Sequence, residues 1–562
     1  MKFTVSFTAF LLFNGLINAQ NASVQLVHAI ADTSLHTIDI WLSNTKIADN
    51  ISFRQSTGII SFPAVIEAEL RICDSSSTDT LNPIFIYRDS LTVGEIYVMI
   101  ASGILDSTVS YSHFKPLNFY RTPEAREFSM FSGYSDVIFH HAVTDLERIS
   151  ISETRELYTE LESDLGYSEF SEYSEIETSN YRFRLKQLNN QFAAGEFDAF
   201  LASNNLEDSS LIVLVSGFEN PDSNSNGPSL AVDVITSQGN AYSLPISNGK
   251  IQFLHNSADP ELAEIDLYVN EALGINSFDF QSASGSLTFP SGIELVIKLS
   301  SDSASGPNES FFSKSINVNA SEELIAIISG LNGSNFDPIV PLDIYMSEAQ
   351  TSASIGSNTD IIFFNASTDF GSAGLKETSI LNSDLFSDVN YGEFSSYISL
   401  PTANYKVDLF SNGEKFSSSG LNLDNYSLSG AAITLMTSAF VDTAANSNGE
   451  EFGLWFARSS AGKFTKLSSP LSIESTQKNK LRIFPNPSSG IFNLYFEDFS
   501  IENFDLTIVD ISGKLILDKD YSFSNGSPRM VSLNLLNISK GVYLLRVNAK
   551  DRSIVRRLVI SD

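Results

Sequence analysis

The 562 residues carry 67 acidic against 34 basic side chains, a formal net charge of −33. That balance argues against a nucleic-acid binder, whose phosphates need Lys and Arg, and against electrostatic binding to anionic lipid. With 42% hydrophobic residues the chain can build four or five domains with real cores. The excess acid reads as a solvated, self-repelling surface, or more sharply as weak calcium binding through clustered Asp and Asn. Cys73 is the single cysteine, so no intrachain disulfide can form. It lies in an apolar-alternating run and reads as a buried thiol rather than a nucleophile.

Residues 1–19 read as a secretory signal: Lys2, the apolar run Phe7–Phe13, then Ile17-Asn-Ala19 before a cut at Gln20. The apolar run is too short to span a bilayer. No later stretch reaches spanning length, which predicts a mature protein without a transmembrane anchor.

A first β-sandwich is expected over 22–131. Short runs rich in Val, Ile, Phe, Tyr and Thr alternate with Ser/Asn/Asp/Gly punctuation. Seven strands are predicted: Ser23–Ala29, Thr37–Leu42, Gly58–Phe62, Ala68–Cys73, Ile84–Tyr87, Tyr97–Gly103 and Leu117–Arg121. The second domain, 132–248, has a more acidic middle, with seven Asp/Glu between Leu157 and Glu177. Lys186–Ala202 reads as a short helix or a long loop. A third domain is expected over 249–352 and a fourth over 356–470. A polar linker, 471–480, precedes a module over 481–562. There ten Lys/Arg face nine Asp/Glu, a near-neutral segment on an acidic body.

One stretch recurs four times: Val24-Gln-Leu-Val-His28-Ala-Ile-Ala-Asp32, then His141 with Asp145, His255 with Asp259, and Asn365 with Asp369. The steps between the His/Asn positions are 113, 114 and 110 residues, the size of a domain rather than of a solenoid repeat. The first and third copies superimpose at an offset of 227, the second and fourth at 224. The predicted fold class is therefore all-β: tandem antiparallel, immunoglobulin-like β-sandwiches in an A-B-A-B arrangement, with a small C-terminal β-sandwich.

The repeats resemble a secreted bacterial family, domain of unknown function 4397. The resemblance rests on Val27-His28-Ala-Ile-Ala-Asp32, Ile38-Asp39-Ile-Trp41, Gly58, Phe62-Pro63 and Ala101-Ser-Gly103. It brings no catalytic residues.

The C-terminal module carries three motifs. They are Pro485-Asn486-Pro487 with Gly490, Asp510-Ile-Ser-Gly513-Lys514, and Gly541-Val-Tyr543 followed by an alternating strand with Arg556-Arg557 exposed. Pro-Asn-Pro with Gly forces a turn before a strand, and Asp510–Lys514 reads as a hairpin turn. The module resembles the type A C-terminal sorting domain of the type IX secretion system in Bacteroidota. The resemblance implies contact with that secretion machinery, loss of the tail, and release from or attachment to the outer surface, through lipopolysaccharide in the attached case.

Three chemical readings follow. His with a carboxylate four residues on can orient a base or hold a metal. Yet the chain has no Gly-x-Ser-x-Gly elbow, only six His, and Asn365 in the fourth copy cannot act as a base. The favoured reading is that His/Asn and Asp tie down the loop leaving the first strand. Asn224 and Asn226, with Asn446 and Asn448 in the equivalent loop, place oxygens at alternate positions before Gly as calcium would need. The preferred function is a non-catalytic, structural, adhesive or glycan-binding surface protein. The alternative is a glycosidase-like hydrolase pairing Asp32 with Asp39, and Asp259 with Asp266.

Overall fold

The computed structural model describes residues 21–64, 67–105, 111–122, 124–468, 481–496, 503–511, 513–523, 529–549 and 552–561. The predicted signal segment and the 471–480 linker lie outside them. The chain divides into two units, one of residues 1–247 with 290–293 and one of 248–289 with 294–562.

In the first unit the described residues of the opening repeat form eight strands. These are β1 (Asn21–His28), β2 (Thr37–Leu42), β3 (Thr45–Ser52), β4 (Ser56–Pro63), β5 (Glu67–Asp74), β6 (Phe85–Ser90), β7 (Ile96–Ser102) and β8 (Asn118–Thr122). They form two sheets in the orders β4-β1-β7-β8 and β3-β2-β5-β6. All seven expected strands are present, and β3 is additional. It is a polar edge strand, Thr-Lys-Ile-Ala-Asp-Asn-Ile-Ser, which carries too little alternation to declare itself. The second sheet is antiparallel throughout, and the first is antiparallel except at its centre, where β1 runs parallel to β7.

The second repeat uses the same order with a fifth strand, Ala241–Ser243, added at the edge of its central sheet. Its central strand Tyr134–His141 again pairs in parallel with Ser209–Ser216. The stretch read as a helix or loop is a hairpin of Asn180–Gln187 with Ala193–Phe200. Tyr181, Phe183 and Leu185 point into the core, while Arg182 and Arg184 pair across the strands with Asp198 and Glu196. Period-two alternation with cross-strand ion pairs outweighs any local helical preference.

The two repeats of this unit are packed face to face. Val27, Ala29, Val98 and Ile100 from the first form one buried cluster with Ile138, Ala142, Ile212, Leu214 and Ile235 from the second. β1 is thus buried on both faces, with Val24 and Leu26 in its own sandwich core. Burial on both faces explains why the recurrent motif is a continuous apolar run.

The second unit repeats this plan. Asn248–His255 pairs in parallel with Glu323–Ser329, and Asn358–Phe364 with Ala432–Ser438. A shared cluster of Leu254, Ile325, Ile327, Ile362, Phe364 and Met436 joins its two repeats. The tail packs a three-stranded sheet (481–484, 491–496, 530–534) on a four-stranded one (515–522, 503–510, 541–549, 552–560).

Candidate functional site

The recurrent His and Asp sit where the central strand gives way to its loop. His28 is fully buried. Its Nε2 donates to the Leu35 carbonyl at 2.9 Å and its Nδ1 accepts the Ile30 N–H at 3.3 Å. His141 does the same with Glu147 (3.0 Å) and Val143 (3.3 Å), and His255 with Leu262 (2.7 Å) and Ser257 (3.4 Å). In the fourth copy Asn365 Nδ2 donates to the Gly371 carbonyl at 2.9 Å, while its Oδ1 accepts from Thr437. An amide reproduces the one-donor, one-acceptor pattern of a neutral imidazole. Burial pulls all three histidines down to about 4, so each ring is neutral at neutral pH.

Each Asp reaches across to the loop that follows the parallel partner strand. Asp32 accepts from Leu105 N at 3.0 Å, Ser34 N at 3.0 Å and the Tyr111 hydroxyl at 3.1 Å. Asp145 accepts from Glu219 N and Asn220 N, both at 2.9 Å. Asp259 accepts from Asn332 N at 2.9 Å, and Asp369 from Val441 N and Asp442 N at 3.0 and 2.8 Å. Between them the His/Asn and the Asp pin two loops at one end of every sandwich.

The acidic pairs of the hydrolase reading are engaged separately. Asp39 is fully buried on β2, where it accepts from Lys46 at 2.7 Å, the Ser77 hydroxyl at 2.6 Å and Asn50 N at 2.8 Å. Asp266 accepts from Ser277 N at 2.9 Å. These carboxylates brace turns within their own sheets.

The Asn-Ser-Asn-Gly loops join repeats. Asn224 is fully buried. Its Nδ2 donates to Asp145 at 2.7 Å and to the Asn220 carbonyl at 2.8 Å, and its Oδ1 accepts the Ser112 N–H at 2.9 Å. Asn446 likewise donates to Asp369 and Asp442 and accepts the Asp337 N–H at 3.0 Å. Both amide oxygens thus accept a protein N–H across the loop. Asn226 and Asn448 take the left-handed backbone of the turn, at φ of 50° and 52°. Gly227 follows because a Cβ there would meet the Phe218 ring at 2.5 Å. Phe218 stacks on Tyr111 of the preceding repeat, as Phe440 stacks on Phe336. Among the described residues no cluster of three or more His, Cys, Asp or Glu is placed to hold a metal.

Sequence reasoning missed Glu153 and Glu377. The buried Glu153 carboxylate accepts the N–H groups of Arg155, Glu156, Leu157, Tyr158 and Arg182 at 2.5–3.2 Å. Burial pushes its pKa up, and these N–H groups outweigh that and hold it below the ordinary value. Glu377 gathers the N–H groups of Ser379, Ile380, Leu381 and Asn382 in the same way. The recurring Glu-Thr dipeptides at 153 and 377 were the available signal.

An open groove of about 550 Å³ lies beside Asp145 in the first unit. Its lining includes His113, Lys115, Thr144, Glu147, Arg148 and Tyr167. Thr144 is 3% exposed and its hydroxyl has no hydrogen-bond partner among the described residues. Arg148 is paired with Asp164 and with Glu169 at 3.0 Å.

In the tail the motif residues make turns. Asn486 clips the final strand by donating to the Arg557 carbonyl at 2.6 Å and accepting the Val559 N–H at 2.8 Å. Pro485 and Pro487 flank it, and Gly490 at φ 122° lets Leu535 N reach its carbonyl at 2.7 Å. Asp510 accepts the Lys514 N–H at 3.0 Å and Gly513 turns at φ 84°. Gly541 opens the strand in which Tyr543 is buried, its hydroxyl donating to the Ser539 carbonyl at 2.7 Å. Arg557 is exposed as expected, but Arg556 is half-buried and donates to the Val555 carbonyl.

Comparison with known proteins places the tail. Residues 482–561 match the family described as the secretion system C-terminal sorting domain; the match does not extend to the repeats. No curated protein matches the chain. Among solved structures, the Bacillus anthracis TIE protein aligns at 9% identity and a TM-score of 0.14, over 72% of this chain and 67% of that one. PorZ, described as an essential bacterial surface component of the type-IX secretion system of Porphyromonas gingivalis, aligns at 11% identity and a TM-score of 0.12, over 90% and 69%. At such TM-scores neither bears on the fold. Among the described residues no helix is long and apolar enough to cross a membrane. Residues 482–561 are a C-terminal sorting domain, and the protein that carries it is exported through type IX secretion to the cell surface or the medium.

Proposed function

We propose that the exported body is a non-catalytic binding protein of the cell surface or its surroundings, with a glycan or protein ligand. One observation carries this reading: the recurrent His, Asn and Asp side chains are spent on their own backbone in all four copies. Groups held in such bonds organise loops rather than transfer protons. The loops they fix are the natural place for ligand contacts, because a rigid sandwich presents them as a set. The groove beside Asp145, with its mixture of Tyr, Thr, Lys and Glu, is one such place in the first unit. Retention at the surface through lipopolysaccharide after sorting belongs to the same reading. The test is to screen the purified mature chain against immobilised bacterial and host glycans, and against polysaccharide, peptide and ester substrates for turnover. Saturable binding without turnover is expected. Hydrolysis that disappears on Asp39→Asn or Asp266→Asn would instead establish the paired-carboxylate hydrolase.

A further inference from the structure

The outer face of the tail's four-stranded sheet is not free. Val509, Leu544 and Val555 are 8%, 1% and 9% exposed, and they belong to one buried cluster with Leu400 and Ala403 of the fourth repeat. The tail's own core is built from their alternates, Leu506, Ile508, Leu545, Val547 and Leu558. Without a cover, that second apolar face would be an exposed patch of the kind that marks an interface. Arg546, two residues from Leu544 and on the same side of its strand, points into the contact. Its Nη1 donates to the Ser357 carbonyl at 2.8 Å and its Nη2 to the Thr402 carbonyl at 2.9 Å. The Asp510–Lys514 turn abuts the same end of the repeat, since a Cβ on Gly513 would lie 2.7 Å from Asn358 Nδ2. The fit is incomplete. A cavity of about 270 Å³ remains, lined by Thr507, Asp518, Arg546 and Asn548 on the tail side and by Ile355 and Pro401 on the repeat side.

We propose that the fourth repeat is a built seat for the sorting tail, and that the export machinery meets the two as one docked body. The face carrying Leu544 and Arg546 is then unavailable to that machinery. The surface left to be read is the three-stranded sheet with the 485–490 loop. Charged donors on two backbone carbonyls give the seat orientation, and the residual cavity suits a contact that comes apart when the tail is removed. The consequence for export rests on the sorting role of the tail. The contact itself does not.

Thiol labelling of the full chain tests the contact directly. Cys73 is buried, so a new thiol is read against a low background. Leu544→Cys tests the seat, and Leu536→Cys, at a position 53% exposed on the same module, is the reference. The L544C thiol is expected to react about tenfold or more slowly than the L536C thiol, the ratio an opening equilibrium of modest cost imposes. Adding Ile355→Asp, on the repeat side, should bring the two rates together while leaving the L536C rate unchanged. Because Ile355 is outside the tail, this variant does not perturb the tail's own core. The proposal is overturned if the L544C thiol reacts as fast as the L536C thiol in the otherwise wild-type chain. It is equally overturned if Ile355→Asp leaves the L544C thiol slow.

Discussion

The hydroxyls of Ser102 and Tyr167 lie 3.1 Å apart across the seam between the first two repeats, and those of Ser329 and Tyr391 lie 3.0 Å apart in the second unit. Gln25 and Gln252 also act alike, donating across their seams to the carbonyls of Thr236 and Arg458 at 2.7 and 2.8 Å. The duplicated object is therefore a pair of sandwiches together with the contacts that join them. We predict that Tyr167→Phe and Ser102→Ala each cost about 1 kcal/mol and that the double variant costs less than their sum. Urea unfolding of the four forms measures the coupling. Strict additivity would mean the hydroxyls do not interact.

His140 occupies a position where the other unit has Phe364. It is fully buried in the seam, neither ring nitrogen makes a well-formed hydrogen bond among the described residues, and its ring centroid is 4.2 Å from Phe170, as Phe364 is 4.5 Å from Phe394. An unsatisfied buried polar group costs about 1–3 kcal/mol. His140→Phe is predicted to stabilise the first unit by about 1 kcal/mol or more, seen as a higher denaturation midpoint. Phe364→His should have the opposite effect in the second unit.

Acid should unfold the body through its histidines. Burial lowers His28, His141 and His255 from 6.5 to about 4, and His140 to about 3. Folded pKa values below the unfolded one mean that the unfolded chain binds protons first. The stability is complete above pH 6.5 and declines as pH falls towards 4. Each fully affected ring accounts for about 3 kcal/mol of that loss. Replacing His28, His141 and His255 by Asn, which already performs the role at position 365, should flatten the dependence between pH 6.5 and 4. A slope unchanged in that triple variant would contradict this assignment.

Glu153 is predicted to be among the most sensitive polar positions of the second repeat. Gln keeps one acceptor oxygen but sets an NH₂ against a ring of N–H donors. Glu153→Gln should cost about 3 kcal/mol, the scale for hydrogen bonds to a buried charged group. Glu377→Gln should do the same in the fourth repeat. Thermal melts of both variants, with an exposed Glu160→Gln as reference, check this.

The legible parts of this fold were those written in side-chain alternation. β1, β2, β4, β5, β6, β7 and β8 were visible because their apolar residues are bounded by turn residues. β3 was not, because an edge strand half open to water can be built from Thr, Lys, Asp and Asn. The hairpin over 180–200 hid behind its charges, which pair across strands instead of marking a helix face. The recurrent His and Asp were found by repetition, but their partners were not. Leu105 N is 73 residues from Asp32, and only the parallel pairing of β1 with β7 brings the two loops together. Asn224 was singled out for its spacing before Gly227, and its partners lie 112 and 79 residues away. The face-to-face pairing of repeats was implicit in the doubly apolar run at β1, which a one-faced sandwich strand does not need.

The most direct test of the account is cell fractionation of a chain truncated after Thr476, expressed with its own N-terminal segment in a bacterium possessing the type IX system. The tail's core is self-contained, so the body is expected to fold without it. The truncated body should accumulate, folded, in the periplasm, while the full chain reaches the surface or the medium. Export of the truncated body at the level of the full chain would contradict the assignment of residues 482–561 as the segment that directs it.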